Sequence, residues 1–308
     1  MTDVNFIFLI SLIIIAVGYV IKKLNVISEQ EGKGIAKIIL NVTLPALQLY
    51  VIPQVELNID LILLFFISLG FALFVFGFGW LAFKKYPREI KGVCLMTVIG
   101  FNIGLFAYPL IQGIWGLEGI QHIVLFDFAN AFVIFGLGYS IAASYSPKNE
   151  EEKISINPKY IGKMLITSVP LITFIIAVVL NLSGFQFSGF FLDLLNILSR
   201  SNMALTLLLL GIYLNFKFEK SEWNIVIKVL LIRYICGLTV GIILFLVLPY
   251  SELYRTILLI ALILPVGMAV VPFSVEYELN EKLTGIIVNL SIVISFVLMW
   301  IITLILGV

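Results

Sequence analysis

Charge is what this chain has least of. Only 12% of its 308 residues are Asp, Glu, Lys or Arg, against about a quarter in soluble domains. The net charge of +1 offers no basic face to nucleic acid. There is one histidine, His122, so a multi-histidine metal site is excluded, and His122 is expected to be exposed at a membrane interface. The two cysteines, Cys94 and Cys236, lie inside apolar stretches and indicate no disulfide framework. GxxxxGKS/T, HExxH and GxSxG are all absent, so P-loop, zinc-protease and α/β-hydrolase chemistry have no foothold. Neither an enzyme nor a bound cofactor is expected.

What fills the chain is apolar: 61% of its residues are hydrophobic and the mean hydropathy is +1.15. That much apolar surface needs lipid as its solvent. A helix crossing the hydrocarbon core takes about 20 mostly apolar residues. Ten segments qualify: residues 5–21, 34–52, 60–83, 92–111, 119–144, 161–182, 189–215, 223–248, 253–275 and 283–307. They are continuously apolar and too long for barrel strands, so an all-α polytopic membrane protein is predicted. The N-terminus opens with an acid and no base, unlike a cleavable secretory signal, and is expected to be retained as the first span.

Lys and Arg alternate sharply between loops. The segments after the odd-numbered spans hold 4, 4, 4, 3 and 1 of them, 16 in all, and the termini and other loops hold only Arg255. By the positive-inside rule both termini face away from the cytoplasm, in a multi-pass cell-membrane protein. Arg200 and Arg233 fall within spans. Arg233, near a cytoplasmic end, is expected to snorkel.

The polar stretch at 145–160, with its acidic run Glu150–Glu152, reads as a solvated linker between halves 1–144 and 161–308. Five spans per half force the halves into opposite orientations. The halves also look like a repeat at an offset near 156 residues. GFNIGLFAYPL (100–110) in span 4 and ILPVGMAVVP (263–272) in span 9 each place proline beside glycine in mid-span, and Pro109 plus 156 is Pro265. One such span is ordinarily a kink. Interruptions in corresponding spans of two inverted halves point instead to a transporter binding site built from discontinuous helices.

Polar residues within the spans are the remaining candidates. Asn102, inside the fourth-span interruption, is placed to contact a solute or to satisfy freed carbonyls. Asp127, with Asn130 one turn on, has three competing readings: it takes up a proton, binds a cation, or anchors the interrupted helix. Asn41 and Pro45 in span 2 match Arg200, Ser201 and Asn202 in span 7 at the same offset. Arg200 is read either as attracting an anion or as pairing with Asp127 or snorkelling.

At these residues the chain resembles the auxin efflux carrier family, which includes plant PIN carriers and prokaryotic relatives. The resemblance rests on Asn41 with LPAL (44–47), Asn102 with Gly104 and Pro109, GLEG (116–119) leading to LFDFAN (125–130), LLLLG (207–211), Leu264–Pro265, and Glu276–Tyr277 followed by LNEKLTGIIVNLS. It covers the whole chain in order. It implies two inverted five-helix repeats. Helices 1, 2, 6 and 7 would form a scaffold at a homodimer interface, and helices 3–5 and 8–10 a transport domain that moves as an elevator. Broken helices 4 and 9 would cross at the substrate site. The implied substrates are small organic anions such as carboxylates or auxin, bound near Asn102, Gly104, Pro109 and Pro265, with Asn41, Ser201 and Asn202 from the scaffold. Alanine stands at 107 and 269 where relatives carry glycine and asparagine, and Pro272 is an added proline, so the cavity lining departs from the family pattern. Two other readings stay open: a carrier coupled to Na+ or H+ through Asp127, and a membrane receptor that binds without transport.

Overall fold

The computed structural model describes residues 4–54, 59–147, 158–215 and 222–307. Most of the 145–160 linker, including Lys148 and Glu150–Glu152, lies outside them, as does Lys217. Among the described residues every regular element is helical. Among the described residues, seven helices are long and apolar enough to cross a membrane.

Helix α1 (Val4–Lys23) is followed by α2 (Glu29–Ile38), which starts in a capping box: the Glu31 amide donates to Ser28 Oγ and the Ser28 amide to the Glu31 carboxylate. A wide π turn (Ile39–Thr43) leads into α3 (Leu44–Val51). Its cause is Pro45, which has no N–H to give and would clash with the carbonyl four residues back. The wider turn lets Leu44 N bond to Ile39 O instead. Helices α4 (Ile59–Ala82) and α5 (Arg88–Val98) come next, then an interruption at 99–102. The chain re-enters helix through a second π turn (Ile103–Ala107) placed just as the first is, two residues before a proline, Pro109.

Helix α6 (Tyr108–Phe132) bends at Gly116 (φ 60°, ψ −143°) and runs through a third π turn (Val133–Gly138) into α7 (Tyr139–Tyr145). In the second half α8 (Pro158–Thr167) and α9 (Val169–Leu182) are separated by one extended residue, Ser168, before Pro170. Then come α10 (Gly189–Tyr213), α11 (Trp223–Val247), α12 (Glu252–Ala261), a second interruption at 262–269, α13 (Val270–Glu276) and α14 (Glu281–Leu306).

Two packing groups emerge. Helices α1, α3, α9 and α10 pack together, as do α4 with α6, α5 with α7 and α11, and α11 with α12; α6 and the turn before it bridge to α10. In the first group α1 and α10 touch backbone to backbone. A Cβ on Gly211 would stand 2.0 Å from Ile15 O and 2.8 Å from Tyr19 N. Both contacts are main chain, so neither can swing aside. Gly211→Val is expected to push the two helices apart and to cost at least the ~1–3 kcal/mol of an overpacked core, read as a fall in the thermal unfolding midpoint of purified protein.

The basic residues grouped by the sequence gather helix ends in the structure. Lys22 donates to Leu214 O, Lys228 to Ala82 O (2.8 Å) and Arg88 to Ser144 O (2.6 Å), capping the last carbonyls of α10, α4 and α7.

Candidate functional site

The two interrupted segments meet. Gly100 adopts φ +69°, a left-handed conformation that glycine reaches without penalty. Helix α5 has already ended, with Ile99 extended (φ −92°, ψ 160°), and Gly100 turns Phe101 and Asn102 toward the second interruption. There the main-chain N–H of Asn102 donates to Pro265 O at 2.9 Å. Ile134, from the third π turn, seals the crossing: its side chain lies against both Gly100 and Gly267, where a Cβ on either would come within 2.7 Å.

Each interruption is held by side chains from the following long helix. Asn130 on α6 grips the Phe101 peptide at both ends, its Oδ1 accepting from Phe101 N (2.8 Å) and its Nδ2 donating to Phe101 O (2.9 Å). Asp127 stands behind it: Oδ2 accepts from the Tyr108 hydroxyl (2.9 Å) and Oδ1 from Asn130 Nδ2 (3.4 Å). On α14, Ser291 Oγ accepts from Val266 N (3.0 Å), and Ser295 Oγ donates to Ile263 O (2.7 Å) and shares a hydrogen bond with the Tyr234 hydroxyl. These clamps supply partners for backbone groups that the interruptions free.

Arg233 does not snorkel. It is 1% exposed, and its guanidinium donates to Val98 O (2.9 Å), Gly100 O (2.8 Å), Leu264 O (2.8 Å) and Pro265 O (3.0 Å). Val98 O ends α5, and the other three carbonyls lie in the two interruptions; a buried cation finds better partners there than a longer reach to water would give. Gly237, one turn on, permits the approach: a Cβ there would stand 2.2 Å from Leu262 O. His122 also departs from expectation. It is buried, with Nδ1 2.8 Å from Glu118 O and its ring edge-on to Tyr254.

A set of polar atoms is left over. Six of the side-chain atoms buried without a hydrogen-bond partner are Asn102 Nδ2, Asn202 Nδ2, Thr206 Oγ1, Ser11 Oγ, Gln48 Oε1 and Gln112 Oε1; Arg255 Nε and Thr256 Oγ1 on α12 are others. The six lie on elements that face one another across the boundary between the two packing groups: α1, α3 and α10 on one side, the first interruption and α6 on the other. Asn102 is 5% exposed and Asn202 0%, and a buried polar group without a partner is costly enough to call for an explanation. Asn202 is positioned by Thr43, whose hydroxyl donates to its Oδ1 at 2.9 Å.

The other sequence candidates fall elsewhere. Asn41 is exposed, its Nδ2 returned to Lys37 O of its own helix (2.7 Å), and Thr43 holds the inward position in that turn. Ser201 bonds back to Ile197 O (3.1 Å). Arg200 is exposed and bonds to Asn196 Oδ1 (3.1 Å), not to Asp127. Gly104 faces Leu44. Pro109 sits inside the start of α6, so the residues opposite Pro265 are Phe101 and Asn102. The sequence reading gave Arg233 the wrong role and missed Tyr108, Ser291 and Ser295. Their one available sign was polarity inside apolar helices, with Ser291 and Ser295 spaced to share a face of α14.

Long apolar helices and two interrupted segments in main-chain contact define a polytopic helical membrane protein. The chain belongs to the family described as membrane transport protein, the auxin efflux carrier family, whose profile matches residues 5–303. It is similar to an uncharacterized transporter of Methanocaldococcus jannaschii, at 24% identity over 306 residues, covering 95% of this chain and 96% of that protein. A second such transporter, from Methanothermobacter thermautotrophicus, is 23% identical over 290 residues, 93% of each chain.

Proposed function

We propose that the protein is a secondary carrier of small organic anions, carboxylates first among them, bound where the two interrupted segments cross. The observation that carries this reading is the Asn102 side-chain amide, whose Nδ2 is buried at the crossing with no protein acceptor. Asn202 offers a second unpaired amide donor from the opposite packing group. Free donors suit an acceptor-only ligand such as a carboxylate, and the helix that begins at Ile103 adds the partial positive charge of its N-terminus.

Alternating access follows as an elevator movement of one packing group against the other. The group of α1, α3, α9 and α10 is the scaffold, and a second copy of the chain sits against it. The reading takes ten crossings in two inverted halves, 1–144 and 161–308. Helix α12 with α13 counts as one interrupted crossing. The 43-residue stretch Ile103–Tyr145 would span about 65 Å if straight, twice a hydrocarbon core of about 30 Å. Its bend at Gly116 divides it into the second half of crossing 4 and the whole of crossing 5. The basic ends face the cytoplasm and both termini face out, and an inside-negative potential drives anion export.

The test is flux of labelled malate, malonate and indole-3-acetate into proteoliposomes under an imposed potential, against protein-free liposomes. Uptake of one of them supports the carrier. Binding without flux replaces it with a receptor, and no response to any anion removes the anion assignment. Coupling to Na+ or H+ through Asp127 has less behind it, because both carboxylate oxygens already hold Tyr108 and Asn130. Asp127→Asn is therefore expected to keep its flux within about threefold of wild type, with no new dependence on Na+ or pH. Abolished flux together with Na+ or pH dependence in the wild type would restore the coupled carrier.

A further inference from the structure

Arg233 carries more than packing. Beyond the four carbonyls named above, its Nη1 lies 3.4 Å from Thr97 O and its Nε 3.2 Å from Leu264 O, and the face of Phe101 lies 4.5 Å from its central carbon. Five residues thus turn their carbonyl oxygens on one cation. Among the described residues no carboxylate pairs with it; the ion pair found there joins Lys22 and Glu29. The charge it answers is that of the backbone. Helix α5 ends here with Thr97 and Val98, and its C-terminus carries roughly half an elementary negative charge. The unwound carbonyls of Gly100, Leu264 and Pro265 add their own negative ends to it.

A cluster of unwound carbonyls beside a half-helix C-terminus is also the setting in which carriers hold a coupling Na+. A guanidinium cannot be deprotonated in a protein and cannot dissociate from its own helix. We propose that Arg233 is a resident cation occupying the coupling-ion position of the crossing, so that the solute cycle needs no Na+ and removal of the guanidinium creates an alkali-cation site. Arg233 acts on the solute through the crossing it holds in shape, as a positioning residue. The transport consequence rests on the carrier reading, but the cation site does not, and it is tested without flux.

The test compares unfolding midpoints of full-length purified protein in choline chloride, NaCl and KCl at equal ionic strength. Wild type is expected to show no difference among the three. Arg233→Ala and Arg233→Gln are expected to be destabilised in choline, with at least one recovering ~5 °C or more in Na+ or K+. Arg233→Lys, which keeps the charge, is expected to stay indifferent to the salt. A residue that only fills space would show no cation-specific recovery. Where a neutral variant does not survive purification in choline, its monodisperse yield in each salt is the readout. Stabilisation of wild type by Na+ overturns the proposal. So does the failure of both neutral variants to gain from either cation, whether or not they fold in choline. Absence of anion flux in wild type would sink the carrier reading and leave these outcomes unaffected.

Discussion

Asn130→Ala will lower the stability of the folded protein by about 2–4 kcal/mol. The size follows from what the side chain holds. Its amide takes both the N–H and the C=O of Phe101, in a segment where helix α5 has ended and no intrahelical partner exists. Truncation leaves two buried backbone groups unpaired, and each costs about 1–3 kcal/mol. Asp127 loses a donor at the same time. The measurement is the thermal or denaturant midpoint of purified protein. Asn130→Asp is the informative companion, because it keeps the acceptor for Phe101 N and gives up the donor for Phe101 O, beside an existing carboxylate. It should be no more stable than the alanine variant. A wild-type midpoint for Asn130→Ala would mean that the clamp does not hold the interruption.

Asn102→Ala is expected to do the reverse. Its Nδ2 satisfies nothing in the protein, and its contact with Pro265 is made by main chain, which alanine retains. Removing a buried, unpaired amide relieves a desolvation cost, so the midpoint should hold or rise. Transport should fall about ten- to a hundredfold, the worth of one buried hydrogen bond to a charged ligand. Function kept at the expense of stability is the usual mark of a binding residue. Proteoliposome flux and the unfolding midpoint, measured on the same preparation, separate the two asparagines. Loss of stability with Asn102→Ala would place it with Asn130 as a structural clamp.

Much of this architecture was legible because apolar runs and helix breakers are local signals. The membrane class followed from hydrophobic length, and both interruptions fell where glycine and proline cluster. Finer features were not local. Pro109 carries the same chemical sign as Pro265, yet it sits at the start of a helix after a π turn, while the break lies upstream at 99–102, around Gly100. An offset between two prolines says nothing about which residues will touch. Arg233 looked like any basic residue near a helix end. Its role depends on Gly237 and on carbonyls 31 to 136 positions away in the chain, which no window on the sequence joins. Asn41 and Asn202 looked alike as amides in apolar helices, but one turns outward to its own backbone and the other inward to Thr43. Helical period distinguishes faces, and it does not say which face meets a partner.

The central claim is that the crossing is a solute site reached from both sides of the membrane. Ala269, partly exposed at the start of α13, reports on it with a small change. In an Ala269→Cys protein lacking Cys94 and Cys236, the rate of modification by a membrane-impermeant thiol reagent should be measured from each side, with and without the transported anion. Modification from both sides, slowed by the anion at each, is the predicted result. A thiol that reacts from one side only, or at a rate the anion does not change, would contradict it.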